Sequence, residues 1–392
     1  MAINEKRVAQ HVRSFEKALS GYAHNEPLSR YLTRFFKENK QMGSSDRKMT
    51  SRFIYNYFRL GNALHEQSLL EKLCFAEFLC ESDSALVSLH YPDLFVQISA
   101  PLGHKIQLLQ SKVSFDSNEI FPLLEHLSES VDKENFLKSH FVQPDLFIRI
   151  KRGQASVVRS SLDQQDIAYK VCNENALVLP NGFRLQDFPK LEGKYEVQDL
   201  SSQKTIAFMQ AGSGESWWDA CAASGGKALM LLDKYPTLNL LVSDIRLSIL
   251  RNLNDRFDKA EVKTPRRQKI LDLILDTTEI LGNEEFDGII LDVPCTGSGT
   301  WGRTPEMIQQ MTIEKLHEFS ALQKKIASNV VKHLKVGKSL VYMTCSVYAD
   351  ENENVVQYLV DQFGFEIDKM ELINGYKDKA DSMFAARLVR TR

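Results

Sequence analysis

The first part of the chain alternates apolar and polar residues with a helical period. Val8, Val12 and Phe15 stand four and three positions apart, which places their side chains on one face of an amphipathic helix. Comparable spacing continues over the next hundred residues and includes a stop at Gly61. It predicts helices around residues 8–19, 31–36, 53–60, 66–80 and 118–138. Residues 1–138 are therefore predicted to form a helical domain.

The pattern changes in the middle of the chain. Residues 147–150 alternate like a strand, and the apolar run 176–179 is followed by the turn sequence Pro180-Asn181-Gly182. These features predict a small α+β module over residues 139–205. The first part of this module carries the basic residues Arg149, Lys151, Arg152 and Arg159. A short sheet with basic loops is a common platform for RNA, and a structural linker is the equally open alternative.

Strand-like and helical runs alternate in the last part of the chain, residues 206–392. Apolar runs precede helical spacing three times, at 238–242 and 246–258, at 286–292 and 313–334, and at 339–343 and 350–362. This order predicts an α/β domain with a parallel, doubly wound, Rossmann-like sheet. Ligands of such a sheet bind at the carboxyl ends of its strands. The chemically suggestive residues fall at these ends, which predicts a single active-site edge.

One turn in this domain predicts a nucleoside-type cofactor. The strand-like Trp217-Trp218 is followed by Asp219, by a run of small residues, and by an apolar helical run from Ala228. Small residues let the backbone approach a ligand, and glycine permits positive φ. A ligand over such a turn meets free N–H groups and the positive end of a helix. The predicted cofactor residues here are Cys221, Ala222, Ala223, Ser224, Gly225, Gly226 and Lys227.

Two acidic residues are further candidates for cofactor binding. Asp244 ends the next strand-like run, at a position where a carboxylate accepts hydrogen bonds from ribose hydroxyls. Arg246, beside it, is included in the predicted site. Asp276 ends the following apolar run, and its carboxylate suits the exocyclic amine of a purine. For both aspartates the alternative is ordinary capping of a helix.

Two cysteines are candidates for covalent catalysis. Cys295 follows Asp292 in a glycine-containing loop at one strand end, and Cys345 stands at another strand end. A lone cysteine is usually an inert buried residue. Two cysteines in polar loops at adjacent strand ends suggest nucleophilic thiolates instead. Cys221 lies inside the cofactor turn, and we expect it to serve mainly in packing.

Composition narrows the class of protein. The 392 residues are 43% apolar and 26% charged, with a net charge of −2, which is typical of a soluble protein of two or three domains. The six cysteines form no C-x-x-C pair and no zinc-type spacing with histidine, so we expect free thiols, a reducing compartment and no metal. No apolar run approaches the about 18 residues of a membrane span. The N-terminal residues contain no apolar h-region, so we expect no signal peptide. We therefore expect a cytoplasmic protein without a membrane partner.

The helical domain also has a local excess of basic residues. They are Arg30, Arg34, Lys37, Lys40, Arg47, Lys48, Arg52 and Arg59. Such an excess suits contact with the phosphates of a nucleic acid. The alternative is a solvated helix face.

Four ordered motifs resemble those of the RsmB/Sun (Fmu) family of RNA cytosine-C5 methyltransferases, within the NOL1/NOP2/Sun superfamily. The turn D-A-C-A-A-S-G-G-K from Asp219 is similar to the family's D-x-C-A-A-P-G-G-K, and D-V-P-C-T-G-S-G from Asp292 to its D-A-P-C-S-G-x-G. The sequence Y-M-T-C-S around Cys345 is similar to Y-S-T-C-S, and V-Q-D-L-S-S-Q from Val197 to V-Q-D-x-x-S-Q. Further matches are Arg303, Pro305 and Glu306 to R-x-P-E, and Glu351, Asn352, Glu353, Val355 and Val356 to E-N-E-x-V-V. The resemblance covers roughly residues 140–392. Residues 30–61 also resemble the family's NusB-like N-terminal domain, in the sequences at 46–48 and 55–61.

The resemblance implies a covalent mechanism. Cys345 would add to carbon 6 of cytosine, which activates carbon 5 toward an electrophilic methyl group. Asp292 would face N3 and the amino group of the base, and Cys295 would assist release of the product. Lys227 matches a family lysine near the target base. The base must be single-stranded or flipped for carbon 6 to be reached.

The resemblance also implies S-adenosylmethionine as the cofactor. It would lie across residues 225–226, with its ribose on Asp244 and its adenine near Asp276. The chain departs from the family pattern at two positions. Ser224 replaces a proline, which makes the cofactor turn less rigid, and Val293 replaces an alanine, which adds bulk beside the target base.

Other functions remain open at the level of sequence. We favour 16S rRNA over tRNA as the partner, because the N-terminal domain resembles that of the small-subunit rRNA enzymes. A DNA cytosine-C5 methyltransferase would use Cys295 as its nucleophile, but the helical N-terminal domain and the second cysteine motif argue against a DNA partner. A non-catalytic RNA-binding factor of ribosome assembly is the alternative from another class. A monomer is expected.

Overall fold

The chain forms two compact units in the computed structural model, which describes residues 4–262 and 266–392. The helical unit contains the residues up to Glu125, together with Asp132–Gln143 and Thr300–Thr312. The sheet unit contains His126–Val131, Pro144–Gly299 and Ile313–Arg392. The division into domains 1–138, 139–205 and 206–392 and the NusB-like character of the helical part stay predictions.

The helical unit contains helices α1 to α8. They are α1 (Glu5–Ser20), α2 (Leu28–Glu38), α3 (Ser44–Arg59), α4 (Leu69–Cys80), α5 (Ala85–His90), α6 (Pro92–Phe95), α7 (Leu102–Gln110) and α8 (Lys133–Ser139). The first four confirm the predicted helices. The helix predicted over 118–138 is wrong, because only α8 and two short 3-10 turns form there. Pro122 supplies no N–H donor, and Leu123 has a positive φ of 56°, so a continuous helix is interrupted.

The end of α3 confirms the predicted role of Gly61. This residue has φ +57°, and its N–H donates to the carbonyl of Phe58 at 3.0 Å. A Cβ atom there would lie 1.8 Å from the carbonyl oxygen of Ile120. Only glycine fits this position, on both conformational and steric grounds.

The segment Thr300–Thr312, here called the returning segment, belongs to the helical unit although it follows the predicted catalytic loop in sequence. The Trp301 ring packs on Phe121 with centroids 5.0 Å apart. The buried guanidinium of Arg59 donates to the Gly302 carbonyl at 2.9 Å. Glu306 accepts from the backbone N–H of Leu28 at 3.1 Å. These contacts make the returning segment part of the core of the helical unit.

The sheet unit contains a small four-stranded sheet with one helix. Its strands are β1 (Leu146–Ile150), β2 (Lys170–Asn173), β3 (Ala176–Leu179) and β4 (Tyr195–Val197), and its helix is α9 (Ala155–Asp163). The strands pair antiparallel in the order β2-β3-β1-β4. The side chains of three of its four noted basic residues form hydrogen bonds within the protein. Arg149 donates to Asp233, Lys151 to the Ala260 carbonyl and Arg159 to the Glu174 carbonyl.

The larger sheet follows. Its strands are β5 (Ser216–Asp219), β6 (Asn239–Asp244), β7 (Arg266–Ile270), β8 (Phe286–Asp292), β9 (Leu334–Thr344), β10 (Phe365–Ile373) and β11 (Met383–Arg390). The helices that accompany it are α10 (Leu200–Lys204), α11 (Gly226–Lys234), α12 (Leu247–Lys259), α13 (Thr278–Leu281), α14 (Ile313–Val330) and α15 (Glu353–Phe363). Within the described ranges the strand order is β10-β11-β9-β8-β5-β6-β7.

The sheet is mixed, so the prediction of a purely parallel sheet is wrong at one end. Strands β5 to β9 are parallel to one another, whereas β11 runs antiparallel to both β9 and β10. The chain order reverses at β5, which lies between β6 and β8. A crevice at the carboxyl ends of β5 and β8 is therefore the expected ligand site.

Candidate active site

The cofactor turn, residues 221–226, connects β5 to α11 and has a tightly specified backbone. The N–H of Ala222 donates to the Ser243 carbonyl at 2.9 Å, and the N–H of Gly225 donates to the Ala222 carbonyl at 2.8 Å. Ala223 and Gly225 have φ values of 45° and 84°. A Cβ atom on Gly225 would lie 2.9 Å from side-chain atoms of Leu253 and of Phe257. The turn therefore requires glycine at residue 225.

We expect Gly225→Ala to destabilise the sheet unit by about 2 kcal/mol, from backbone strain plus crowding. The matched control is Gly226→Ala, because a Cβ atom at that position would have its nearest neighbour 3.9 Å away, on Arg256. Urea unfolding of both variants measures the difference. Equal stability of the two variants would contradict the assigned geometry.

The structure places Asp244 at the end of β6, as predicted, and shows its partners. Both carboxylate oxygens accept from Arg246: Oδ1 from the backbone N–H and Nε at 2.9 and 3.0 Å, and Oδ2 from Nη2 at 3.0 Å. The N–H of Ala223, in the cofactor turn, donates to Oδ2 at 3.2 Å. The side chain of Arg246 is 58% exposed, so it can turn outward and leave these oxygens to another donor. The carboxylate of Asp244 is thus a fixed acceptor pair beside the turn.

Asp276 does not end a strand, which corrects its predicted placement. Strand β7 ends at Ile270, and Asp276 lies in the following loop, where it accepts from Thr278 and pairs with Lys332 at 3.6 Å. Asp272 stands nearer to the strand end and is half-buried. Sequence reasoning misses Asp272 because the apolar run after it has the pattern of a strand. The charged run 266–270 is the actual strand.

Asp219, the last residue of β5, is a fully buried carboxyl group. Neither of its oxygens has a hydrogen-bond partner among the residues that the structure describes. Burial raises its pKa to about 8, with a further contribution from the negative charges of Asp292 and Asp244 and an opposing one from Lys227. The group is therefore protonated at neutral pH in the folded protein.

This raised pKa predicts a pH-dependent loss of stability. The carboxyl of an unfolded aspartate titrates near pH ~4, so between about pH 4 and 8 the unfolded state loses a proton that the folded state keeps. Asp219 therefore lowers stability as pH rises through this window. Relative to the wild type, Asp219→Asn should gain roughly 1 kcal/mol per pH unit between pH 5 and 7.

Urea unfolding at pH 5, 6, 7 and 8 measures this gain. Asp287→Asn is the control, because hydrogen bonds and lysine charges outweigh burial and keep the pKa of Asp287 below its ordinary value. The stability difference between that variant and the wild type should stay constant over the same range. A constant difference for Asp219→Asn as well would refute the assigned protonation state.

Lys227 and Asp292 form an ion pair between the cofactor turn and the end of β8. The Nζ atom lies 2.8 Å from Oδ2, and the two side chains are 11% and 27% exposed. Burial lowers the pKa of Lys227, but the charge and hydrogen bond of Asp292 outweigh this and raise it, assisted by Cys345. Lys227 is therefore a fixed positive charge, and its ammonium attracts negative charge on the Cys345 sulfur.

The two candidate cysteines face each other. The Sγ atoms of Cys295 and Cys345 are 3.3 Å apart, and both residues are half-buried free thiols. The hydrogen bond to Cys345 raises the pKa of Cys295 well above its ordinary value, and burial adds to the effect. The structure thus brings together Lys227, Asp292, Cys295 and Cys345. Cys221 is also a free thiol, and burial raises its pKa, which suits the predicted packing role.

A buried polar network holds the Cys295 loop, and sequence reasoning assigned it no role. The Oε1 atom of Glu351 accepts from the N–H of Thr296 at 2.9 Å and from Nε2 of Gln323 at 2.8 Å. The same Nε2 donates to the Pro294 carbonyl at 3.0 Å. Both neighbours of Cys295 in the chain are thereby fixed. The sequence feature that could have revealed this network is the E-N-E motif, because Glu351 is its first acidic residue.

Comparison with known proteins finds similarity to one family of methyltransferases. The profile of the family described as 16S rRNA methyltransferase RsmB/F matches residues 206–389. Ribosomal RNA small subunit methyltransferase B from Xylella fastidiosa (strain 9a5c) is 31% identical over 212 residues, covering 53% of this chain and 47% of that protein. The namesake from Serratia proteamaculans is 27% identical over 300 residues, covering 71% and 67%. The chain thus matches about half the length of the first of these relatives.

Solved structures share the fold. The structure titled PH0851 superposes with a TM-score of 0.73 at 18% identity, covering 97% of this chain and 98% of that one. NSun6 from Pyrococcus horikoshii, crystallised with SFG, gives a TM-score of 0.57 at 16% identity over 64% of this chain and 92% of its own. No helix among the described residues is long and apolar enough to cross a membrane. The motifs, the Rossmann-like sheet and the matched profile agree: residues 206–389 of this chain match the RsmB/F family of methyltransferases.

Proposed function

We propose that this protein transfers a methyl group from S-adenosylmethionine to carbon 5 of a cytosine in 16S rRNA. One observation carries the proposal. Two thiols lie 3.3 Å apart at the ends of adjacent parallel strands, beside a Lys227–Asp292 ion pair. This arrangement supplies the nucleophile that covalent activation of a pyrimidine requires, together with a second thiol and a charged pair in the same site.

The residues present fit the cofactor. The turn of small residues 221–226 offers close backbone approach at the start of α11, and Asp244 offers two fixed acceptors for ribose hydroxyls beside it. For the adenine amine we propose Asp272 in place of Asp276. It lies nearer to the end of β7, and no cationic side chain among the described residues pairs with it, whereas Lys332 pairs with Asp276. The cofactor supplies an electrophilic methyl group when bound.

Three side chains of this protein carry out the other steps of the proposed reaction. The Cys345 sulfur forms a bond to carbon 6 of the base as the carbon 5–carbon 6 double bond opens, which places electron density on carbon 5. The Asp292 carboxyl faces N3 and the amino group and stabilises the adduct. Once carbon 5 carries the methyl group, loss of its remaining proton to solvent re-forms the carbon 5–carbon 6 double bond and expels the Cys345 sulfur. Cys295 lies close enough to assist this release.

The proposed target rests on the relatives. Several are named ribosomal RNA small subunit methyltransferase B, and the exposed basic residues of α2 suit a nucleic acid. A tRNA is the alternative outcome.

The test uses the full chain with methyl-tritiated S-adenosylmethionine. The substrates are deproteinised 16S rRNA from a strain lacking this protein, the tRNA of that strain, and DNA. Label in 16S rRNA, recovered by nucleoside mass spectrometry as 5-methylcytidine, is expected. Label in tRNA alone would change the target, and label at another atom of cytosine would refute the two-cysteine chemistry. If no substrate is labelled, the proposed methyltransferase activity is refuted.

A further inference from the structure

One face of α12 builds the outer wall of the cofactor turn. Leu253, Arg256 and Phe257 stand three and four positions apart in this helix, so their side chains share a face. Side-chain atoms of Leu253 and of Phe257 occupy the space beside Gly225, 2.9 Å from the position that a Cβ atom on this glycine would take. Arg256, between them, bonds to the residue directly before that glycine.

Arg256 holds Ser224 at two points. Its Nη1 atom donates to the Ser224 carbonyl at 2.9 Å and to the Ser224 hydroxyl at 2.7 Å. On its other side, Nη2 and Nε donate to Oε2 of Glu196 in β4 at 2.6 and 3.2 Å. The side chains of Arg256 and Glu196 are 27% and 17% exposed. A half-buried ion pair with both ends bonded thus connects the small module to the cofactor turn.

We propose that Arg256, oriented by Glu196, is a positioning residue that fixes the cofactor turn through Ser224. Ser224 stands where the resembled motif has proline. A proline ring restricts the backbone covalently, whereas serine leaves it free unless its polar atoms are held. Arg256 supplies that restraint, because its planar fork reaches the serine and Glu196 together.

The hydrogen bonds that hold Ser224 also affect its two neighbours in the turn. Ser224 lies between Ala223, whose N–H bonds to Asp244, and Gly225, whose N–H closes the turn on Ala222. Release of Ser224 therefore loosens both sides of the turn. The effect on the cofactor rests on the proposed function, whereas the effect on the turn itself does not.

The first measurement is amide hydrogen exchange of residues 221–226 in the protein without cofactor. Arg256→Ala should accelerate exchange about tenfold, as expected for the loss of charge-assisted hydrogen bonds. The control is Arg251→Ala, which removes an exposed arginine of the same helix and should change nothing. Ser224→Pro combined with Arg256→Ala should return exchange to within about threefold of the wild type, because the ring restores the restraint.

The second measurement is calorimetric affinity for S-adenosylmethionine. We expect Arg256→Ala to raise Kd about tenfold, with the Ser224→Pro double variant restoring it. Arg256→Lys keeps a charge near Glu196 and should show an intermediate Kd, which gives a folded variant if alanine is not tolerated. Unchanged exchange in Arg256→Ala and Arg256→Lys, or failure of the proline to restore it, would overturn the proposal. A wild type that binds no S-adenosylmethionine would refute the proposed function, and the exchange result would still decide the role of Arg256.

Discussion

Cys345→Ala is expected to reduce methyl transfer by roughly a thousandfold or more, as loss of a covalent nucleophile does in other enzymes. The reason is that alanine cannot add to carbon 6, so carbon 5 of the base remains a poor nucleophile. Cys295→Ala should cause a different defect from Cys345→Ala. It keeps the nucleophile but lacks the thiol 3.3 Å away, so an RNA–protein adduct should accumulate.

Transfer of tritiated methyl groups and denaturing gels of the RNA–protein mixture measure the two effects together. Cys172→Ala, which removes an exposed thiol in β2, is the control and should behave as the wild type. If Cys345→Ala keeps its activity while Cys295→Ala loses it, the roles of the two thiols are reversed. If both variants stay active, the covalent mechanism fails.

Trp301→Ala should destabilise the helical unit by about 3–5 kcal/mol. Trp301 is 2% exposed and packs on Phe121, which itself contacts Phe136 with centroids 4.8 Å apart. Alanine would leave a cavity where these aromatic rings meet. The loss should be felt in helices that lie far from residue 301 in sequence.

Hydrogen exchange in α3 and α8, followed by mass spectrometry under mildly denaturing conditions, measures this destabilisation. Trp301→Phe retains an aromatic ring and should lose only a minor part of the stability. Exchange in β5 and β6, within the sheet unit, provides an internal reference. If α3 and α8 exchange as in the wild type, the returning segment contributes no core to the helical unit.

The sequence was most informative where local pattern and local structure coincide. The apolar run 286–292 became β8 with the same bounds, and the helical spacing after Asp244 became α12. Motif residues separated by 50 positions, Cys295 and Cys345, also met as expected, because parallel strands bring their carboxyl ends to one edge. The strand order and the residues of the turns are therefore enough to predict such a site from sequence.

Prediction from the sequence failed where the local hydrophobic pattern was weak, or where a residue's partner lies far away in the chain. Strand β7 consists largely of charged residues, so periodicity favours the apolar run after it and misplaces Asp276. Strands β10 and β11 pair antiparallel at the sheet edge, and hydrophobic periodicity does not distinguish antiparallel from parallel pairing. The bond between Arg256 and Ser224 joins residues 32 positions apart. No spacing rule predicts such a contact.

The returning segment has a consequence for synthesis of the chain on the ribosome. The helical unit needs residues up to Thr312, yet about 150 residues of the sheet unit are made between Gln143 and Thr300. At bacterial or eukaryotic elongation rates this interval lasts roughly 10 to 30 s. During that time the site for Trp301 is open in the nascent protein. The helical unit therefore begins to emerge first but stays incomplete until most of the sheet unit has been made, and a gene fragment ending before residue 300 encodes neither unit in full.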